Sequence, residues 1–156
     1  MLQFISKIFG GNKSEKDIKN ISHYVDEINA YFTSYASLSN DELRNKTTEF
    51  KSRIKQHVST VDNEIAELKQ KAEELAFTEI MQKDEIYQQI DKLGKQRNEK
   101  LEEVLDEILP EAFAVMKETA RRFANNTELV ATATELDREL SVKKQHITIE
   151  GDKVTY

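Results

Sequence analysis

The run LRNKTTEFKSRIKQHVSTVDNEIAELKQKAEEL, Leu43–Leu75, decides the fold. Leu43, Thr47, Phe50, Ile54, Val58, Val61, Ile65, Leu68, Ala72 and Leu75 recur at alternating steps of three and four residues. That spacing keeps one narrow apolar seam on a helix, as in a coiled coil. Ser39 and Glu42 stand three apart just upstream, the spacing of a capping box that starts this helix. A minor break is possible between Ser59 and Asn63, where Ser59 could cap a fresh helix. Further on, Asp84 is placed to cap a helix with Ile86, Tyr87, Ile90 and Leu93 on its apolar side, and Gly94 weakens that helix by ~1 kcal/mol relative to alanine.

Composition agrees with elongated helices. The chain has 156 residues, a one-domain length, but 33% of them are charged and 38% hydrophobic, too polar for one large compact core. Cysteine is absent, so disulfides and thiolate metal sites are excluded, which fits a reducing cytosol. No stretch of ~18 apolar residues could span a membrane, and no long apolar region with a cleavage site marks a signal peptide. A net charge of −6 argues against nucleic-acid binding, which leaves a basic footprint.

Downstream, LPEAFAVMKETARR (Leu109–Arg122) holds the only proline, Pro110, where it suits the first turn of a new helix. Ala112, Val115 and Met116, with Phe113 and Ala120 beside them, give that helix a broad apolar face requiring burial. Asn125 and Asn126 can end it, and Thr127 can start a short helix containing Leu129, Val130, Leu136 and Leu140. The period then changes to two in HITIEGDKVTY, His146–Tyr156, around Gly151-Asp152, a β-hairpin signal. Ile147 and Ile149 would share one face, Val154 and Tyr156 another; two strands alone are marginal in water and require further support. Upstream, Leu2, Phe4, Ile5, Ile8 and Phe9 fall near one helical face beside Lys7, the pattern of a short basic helix lying on an anionic membrane surface. Gly10–Ser14 lacks the spacing of a phosphate loop. Ser14 can cap the next helix, whose stripe is Ile18, Ile21, Val25, Ile28 and Phe32.

Two long blocks, LSNDELRNKTTEFKSR (Leu38–Arg53) and LDEILPEAFAVMKETARR (Leu105–Arg122), resemble in sequence and in order the region leading into the first nucleotide-binding domain of the SecA family; MLQFISKIFGG resembles that family's amphipathic start. The resemblance implies part of an ATP-driven motor that pushes preproteins through the SecYEG channel, cytoplasmic and peripheral on the inner face of the cell membrane. It implies that the family's ATP and magnesium sites lie downstream, so no cofactor residue is carried onto this chain. Many family members join the two blocks by a short connection, so Arg53 and Leu101 should lie close and the segment between must go out and return. The expectation is a mainly α fold of elongated helices with an antiparallel, coiled-coil-like helical hairpin and a short C-terminal β-hairpin. Its parts are a basic amphipathic segment 1–13, N-terminal helices 14–53, an inserted hairpin arm 54–108 turning within Phe77–Asp84, the LPEAFAV helix 109–125, and a second insertion 126–156 cut short at its end. Leu2, Phe4, Ile5, Lys7, Ile8 and Phe9 would touch anionic lipid or the channel. Leu109, Phe113, Val115 and Met116 would dock on the remainder of the motor, and Phe50, Ile54, Ile65, Leu68, Leu75, Ile86 and Ile90 would form the hairpin seam.

Catalytic chemistry has no foothold in the sequence. His23, His57 and His146 are far apart and lack carboxylates at metal-binding spacing, and the acidic pairs Glu73-Glu74, Glu102-Glu103 and Asp106-Glu107 lie among lysines on helices. No catalytic, cofactor or metal residue is expected. The alternative reading is a free-standing coiled-coil interaction protein that forms a homodimer through the Phe50–Leu75 seam.

Overall fold

The computed structural model describes residues 11–76 and 79–156, with side chains from residue 16 onward. Leu2, Phe4, Ile5, Lys7, Ile8 and Phe9 lie outside the described residues, as do Phe77 and Thr78 in the expected turn. The chain is mainly helical: α1 spans Gly11–Tyr35, α2 Asn40–Glu74, α3 Ile80–Asn125 and α4 Glu135–Lys143. Three short strands, β1 Val130–Thr132, β2 Thr148–Glu150 and β3 Lys153–Thr155, form one antiparallel sheet in the order β1-β3-β2. Two compact units result, one made of 46–109 and the other of the residues up to Asn45 together with those from Pro110 onward.

The first of these is a helical hairpin. Arg97 Nε donates to Asp62 Oδ1 at 2.5 Å and His57 Nε2 lies 3.3 Å from Glu103 Oε2, so residue numbers rise on α2 as they fall on α3 and the helices are antiparallel. Val58, Val61 and Ala72 of α2 are buried, as are Ile86, Val104 and Ile108 of α3. Phe50, Ile54, Ile65, Leu68, Leu75 and Ile90 are half-buried, as expected for a seam shared by only two helices.

Several local readings give way to longer helices. Ser14 lies inside α1 instead of capping it, and α2 runs unbroken through Ser59–Asn63; the Ser59 hydroxyl donates to the Gln56 carbonyl at 2.8 Å, a bond available within a helix. Asp84 is inside α3, which starts at Ile80; the Glu79 carboxylate accepts from the Ala76 N–H at 2.9 Å and ties the segment before the helix. Pro110 does not begin a new helix. It sits within the 46 residues of α3, because proline's fixed φ is itself helical and its cost there, ~3 kcal/mol, can be offset by packing on both sides. Thr127 starts no helix: Val130 enters β1, and the helix with Leu136 and Leu140 begins only after Thr134. Thr134 and Asp137 form a reciprocal capping box there, a signal masked in the sequence by the run of threonines.

In the other unit, Tyr35, Leu43 and Ala114 form a buried cluster with Ile28, Phe32, Leu38 and Val115 around it. The Ser39–Glu42 capping box is present: Ser39 N–H donates to Glu42 Oε2 at 2.7 Å, and Glu42 N–H to Ser39 Oγ at 3.2 Å. The expected β-hairpin turns at Gly151, whose φ of 62° suits glycine. Its support is internal. β1 pairs with β3, and Ala131, Ile147 and Val154 are buried with Leu140, Ile149 and Tyr156 packed on them.

The free edge of β1 is closed by side chains from the first turns of α2. Leu129 and Tyr156 exchange backbone bonds, which leaves the polar groups of Val130 and Thr132 facing away from β3. Asn40 Nδ2 donates to Val130 O, Thr132 N–H donates to Asp41 Oδ1 and Arg44 Nη1 donates to Thr132 O, each at 2.8 Å. The bonds from Thr132 hold the Asp41 carboxyl below its usual range. Arg44 also reaches the buried Asp137 at 3.0 Å, and Tyr156 donates its hydroxyl to the same carboxylate. Burial works to raise the Asp137 carboxyl, but the bonds from Tyr156 and Thr134 and the charge of Arg44 outweigh it and bring it to about 2. Asp137→Ala removes the cap of α4 and leaves Arg44 and Tyr156 without their shared acceptor. It is expected to lower stability by about 2–4 kcal/mol in urea unfolding; a shift under about 0.5 kcal/mol would be the range of an ordinary surface change and would refute this role.

Candidate docking face

From Pro110 on, α3 is amphipathic in an inverted sense. The side turned toward α1 and α2 carries Ala114, Glu118 and Arg122, which are 0%, 0% and 8% exposed. Glu118 accepts from Arg121 Nε at 2.7 Å and Nη2 at 2.6 Å, and from Arg122 Nε at 2.8 Å. Arg122 continues outward from that pair. Its Nη1 donates to Asn40 Oδ1 at 2.7 Å, and its Nη2 to the carbonyls of Tyr35 at 3.2 Å and Leu38 at 2.6 Å. Tyr35 Oη donates to Glu111 Oε2 at 3.2 Å, and Lys117 Nζ donates to Asn29 Oδ1 at 2.6 Å while lying 4.3 Å from the centre of the Phe32 ring. The helix is thus seated on its neighbours mainly by charge and hydrogen bonds.

The opposite side is apolar and exposed. Phe113, Met116, Ala120 and Phe123 follow one another at steps of three, four and three residues, so they line one stripe. Phe113 is 57% exposed, Met116 67% and Phe123 55%. The Phe123 ring meets Tyr156 edge-on at 6.1 Å. Of the residues expected to dock, Phe113 and Met116 lie on this stripe. Val115 packs inward on the Tyr35 cluster, and Leu109 is half-buried and belongs to the hairpin unit. Ala120 and Phe123 complete the stripe; the same spacing carried past Met116 would have found them in the sequence.

Nothing among the described residues suits a nucleotide. Gly11 is in α1, Gly94 is within α3 and Gly151 turns a hairpin, so no glycine-rich loop offers amides to a phosphate. Among the described residues no three His, Asp or Glu side chains gather to hold a metal ion, and no helix is long and apolar enough to cross a membrane.

The bonds from Arg121, then those from Arg122, hold the Glu118 carboxyl down from 4.5 to about 2 against the effect of burial. A carboxyl depressed on folding stabilises fully above its unfolded value and loses that contribution as pH falls through the folded one. The native chain should therefore lose on the order of 2–3 kcal/mol between pH ~4.5 and ~2 from this group. Glu118→Gln is expected to be less stable at neutral pH by a similar amount and to show a flatter acid limb in urea unfolding at stepped pH. Parallel curves for the two proteins would sink the assignment.

A model of the SecA DEAD-like domain family matches residues 5–133. Among curated relatives, the protein translocase subunit SecA of Parabacteroides distasonis is 44% identical over 154 residues, covering 99% of this chain and 13% of the relative. The SecA subunit of Phocaeicola vulgatus is 47% identical over 155 residues, covering 99% and 14%, and that of Christiangramia forsetii 44% over 151 residues, covering 97% and 13%. No solved structure matches. The chain thus spans about 13–14% of the length of the relatives it matches. With the family match extending over most of its length, the chain belongs to the SecA family and is homologous to the N-terminal part of the translocase subunit.

Proposed function

We propose that this chain is the N-terminal structural portion of a SecA-type motor that hydrolyses ATP to drive preproteins through the SecYEG channel. The whole protein would be cytoplasmic and peripheral on the inner face of the cell membrane. ATP and magnesium would be held by the remainder of the motor, since the residues here offer neither a phosphate loop nor a metal cluster. The observation that carries the reading is the inverted helix. Its polar side is already satisfied by α1 and α2, and its apolar side, Phe113, Met116 and Phe123, stands exposed in a family whose members are about seven times longer. Burying three such side chains would contribute about 1.5–3 kcal/mol each, so a partner surface in the remaining motor is the economical occupant.

The parts of the chain then divide the work. Leu2, Phe4, Ile5, Lys7, Ile8 and Phe9 would lie on anionic lipid or the channel, with no direct role in ATP turnover. The hairpin 54–108 would be an arm giving rigidity or partner contact, and 126–156 a second insertion latched to the start of α2.

Co-expression of this chain with the remainder of the Phocaeicola vulgatus SecA subunit tests the docking. The two pieces should co-purify, and Phe113→Asp with Met116→Asp should reduce the captured fraction at least about tenfold, the equivalent of ~1.4 kcal/mol. Retained capture by the double variant, with unchanged helix content, would refute the stripe as the docking face. Vesicles containing anionic lipid test the other end: binding should weaken in Phe4→Asp and in Lys7→Glu, and salt should weaken it too.

A further inference from the structure

Charges along the helical hairpin are answered across the helix pair at Asp62–Arg97 and His57–Glu103. One stretch departs from this. Glu64, Glu67, Leu68 and Lys71 of α2 and Gln89, Lys92 and Leu93 of α3 line a groove of about 520 Å³. Leu68 and Leu93 are half-buried in it, while Glu64, Glu67, Lys71 and Lys92 are exposed and take part in no ion pair among the described residues. The acidic pair Glu64 and Glu67 stands on the α2 wall, and Lys92 on the α3 wall. The register set by Asp62–Arg97 and His57–Glu103 brings Glu67 level with Lys92 and Leu93.

We propose that this groove receives the same groove of a second copy, with a two-fold axis running along the helices. Rotation about such an axis preserves each level and exchanges the walls. α2 of one copy then lies on α3 of the other, and Glu67 of each copy faces Lys92 of its mate. Lys71 meets the uncharged Gln89, and Leu68 and Leu93 of both copies close an apolar layer between the two ion pairs. All neighbouring helices are antiparallel in this arrangement, which opposes their dipoles, as in an up-down four-helix bundle. An unrelated helix would need opposite signs on two sides at one level; a second copy carries that pattern already. The charge pattern is therefore self-complementary, and it decides the occupant. The inference rests on the hairpin alone and does not need the docking of the α3 stripe.

Sedimentation of the 156-residue chain from about 1 μM to about 1 mM, the range of weak specific association, should show a reversible monomer–dimer equilibrium. Glu67→Lys and Lys92→Glu should each weaken it about tenfold, since two ion pairs become two like-charge contacts. Mixing the two variants should restore dimerisation to within about threefold of the original, because each lysine-rich groove then faces a glutamate-rich one. Glu73→Lys, outside the groove, should leave the equilibrium unchanged, and circular dichroism should show the same helix content throughout. The α3 stripe carries none of these residues, so rescue on mixing cannot come from it. A chain that stays monomeric over the whole range, a mixture no tighter than its separate components, or an equal loss in Glu73→Lys would each overturn the proposal.

Discussion

The guanidinium of Arg122 is the point on which the unit around α1 depends. A buried cation is costly unless its donors are answered, and here Nε meets Glu118, Nη1 meets Asn40 and Nη2 meets two carbonyls. Those carbonyls, of Tyr35 and Leu38, belong to the end of α1 and the corner after it, where a helix leaves acceptors without partners. One side chain of α3 therefore finishes α1, fixes the corner into α2 and neutralises Glu118. Removing it would strand a carboxylate and several carbonyls at once. A network of this kind specifies one arrangement of three helices more sharply than a greasy contact of the same size, because a shift of about an ångström breaks several bonds together.

Seating α3 by charge has a consequence for its other side. A helix in a small domain ordinarily buries its apolar stripe and exposes its ions. Here the ions are inside and Phe113, Met116 and Phe123 are outside. The apolar stripe is not needed to hold α3 on α1 and α2, which leaves it available for another surface. The same division explains why Val115, adjacent to Met116 in sequence, faces the Tyr35 cluster instead.

Features encoded within four residues were legible. The three-four seam of α2 and α3, the Ser39–Glu42 box and the Gly151 turn all follow from local spacing or a single backbone preference. Phe113 and Met116 were legible in the same way. The misreadings arose where a local signal competed with a distant contact. Pro110 looks like a beginning, yet helix on both sides carries α3 through it. Thr127 looks like a cap, yet Val130 and Thr132 find their backbone partners on Asn40, Asp41 and Arg44, some ninety residues earlier in the chain. Three-residue strands cannot be recognised from their own sequence when side chains of a helix complete their edge. The buried state of Glu118 was equally hidden, since glutamate in a charged helix ordinarily faces water.

The two stretches that carry the family resemblance, Leu38–Arg53 and Leu105–Arg122, are far apart in sequence and meet in the structure. The Leu38 carbonyl and Asn40 of the first accept from Arg122 of the second. Asn40 then passes the connection on, since its Nδ2 donates to Val130 of the sheet while its Oδ1 holds Arg122. Asp41 and Arg44, on the same first turns of α2, complete the hold on Thr132 and reach Asp137. A few residues at the start of one helix thus join α1, α3 and the sheet. The segments between the blocks can vary in length without disturbing these bonds, because the hairpin leaves and returns between them and the sheet is attached after them. The resemblance is strongest where geometry permits least freedom.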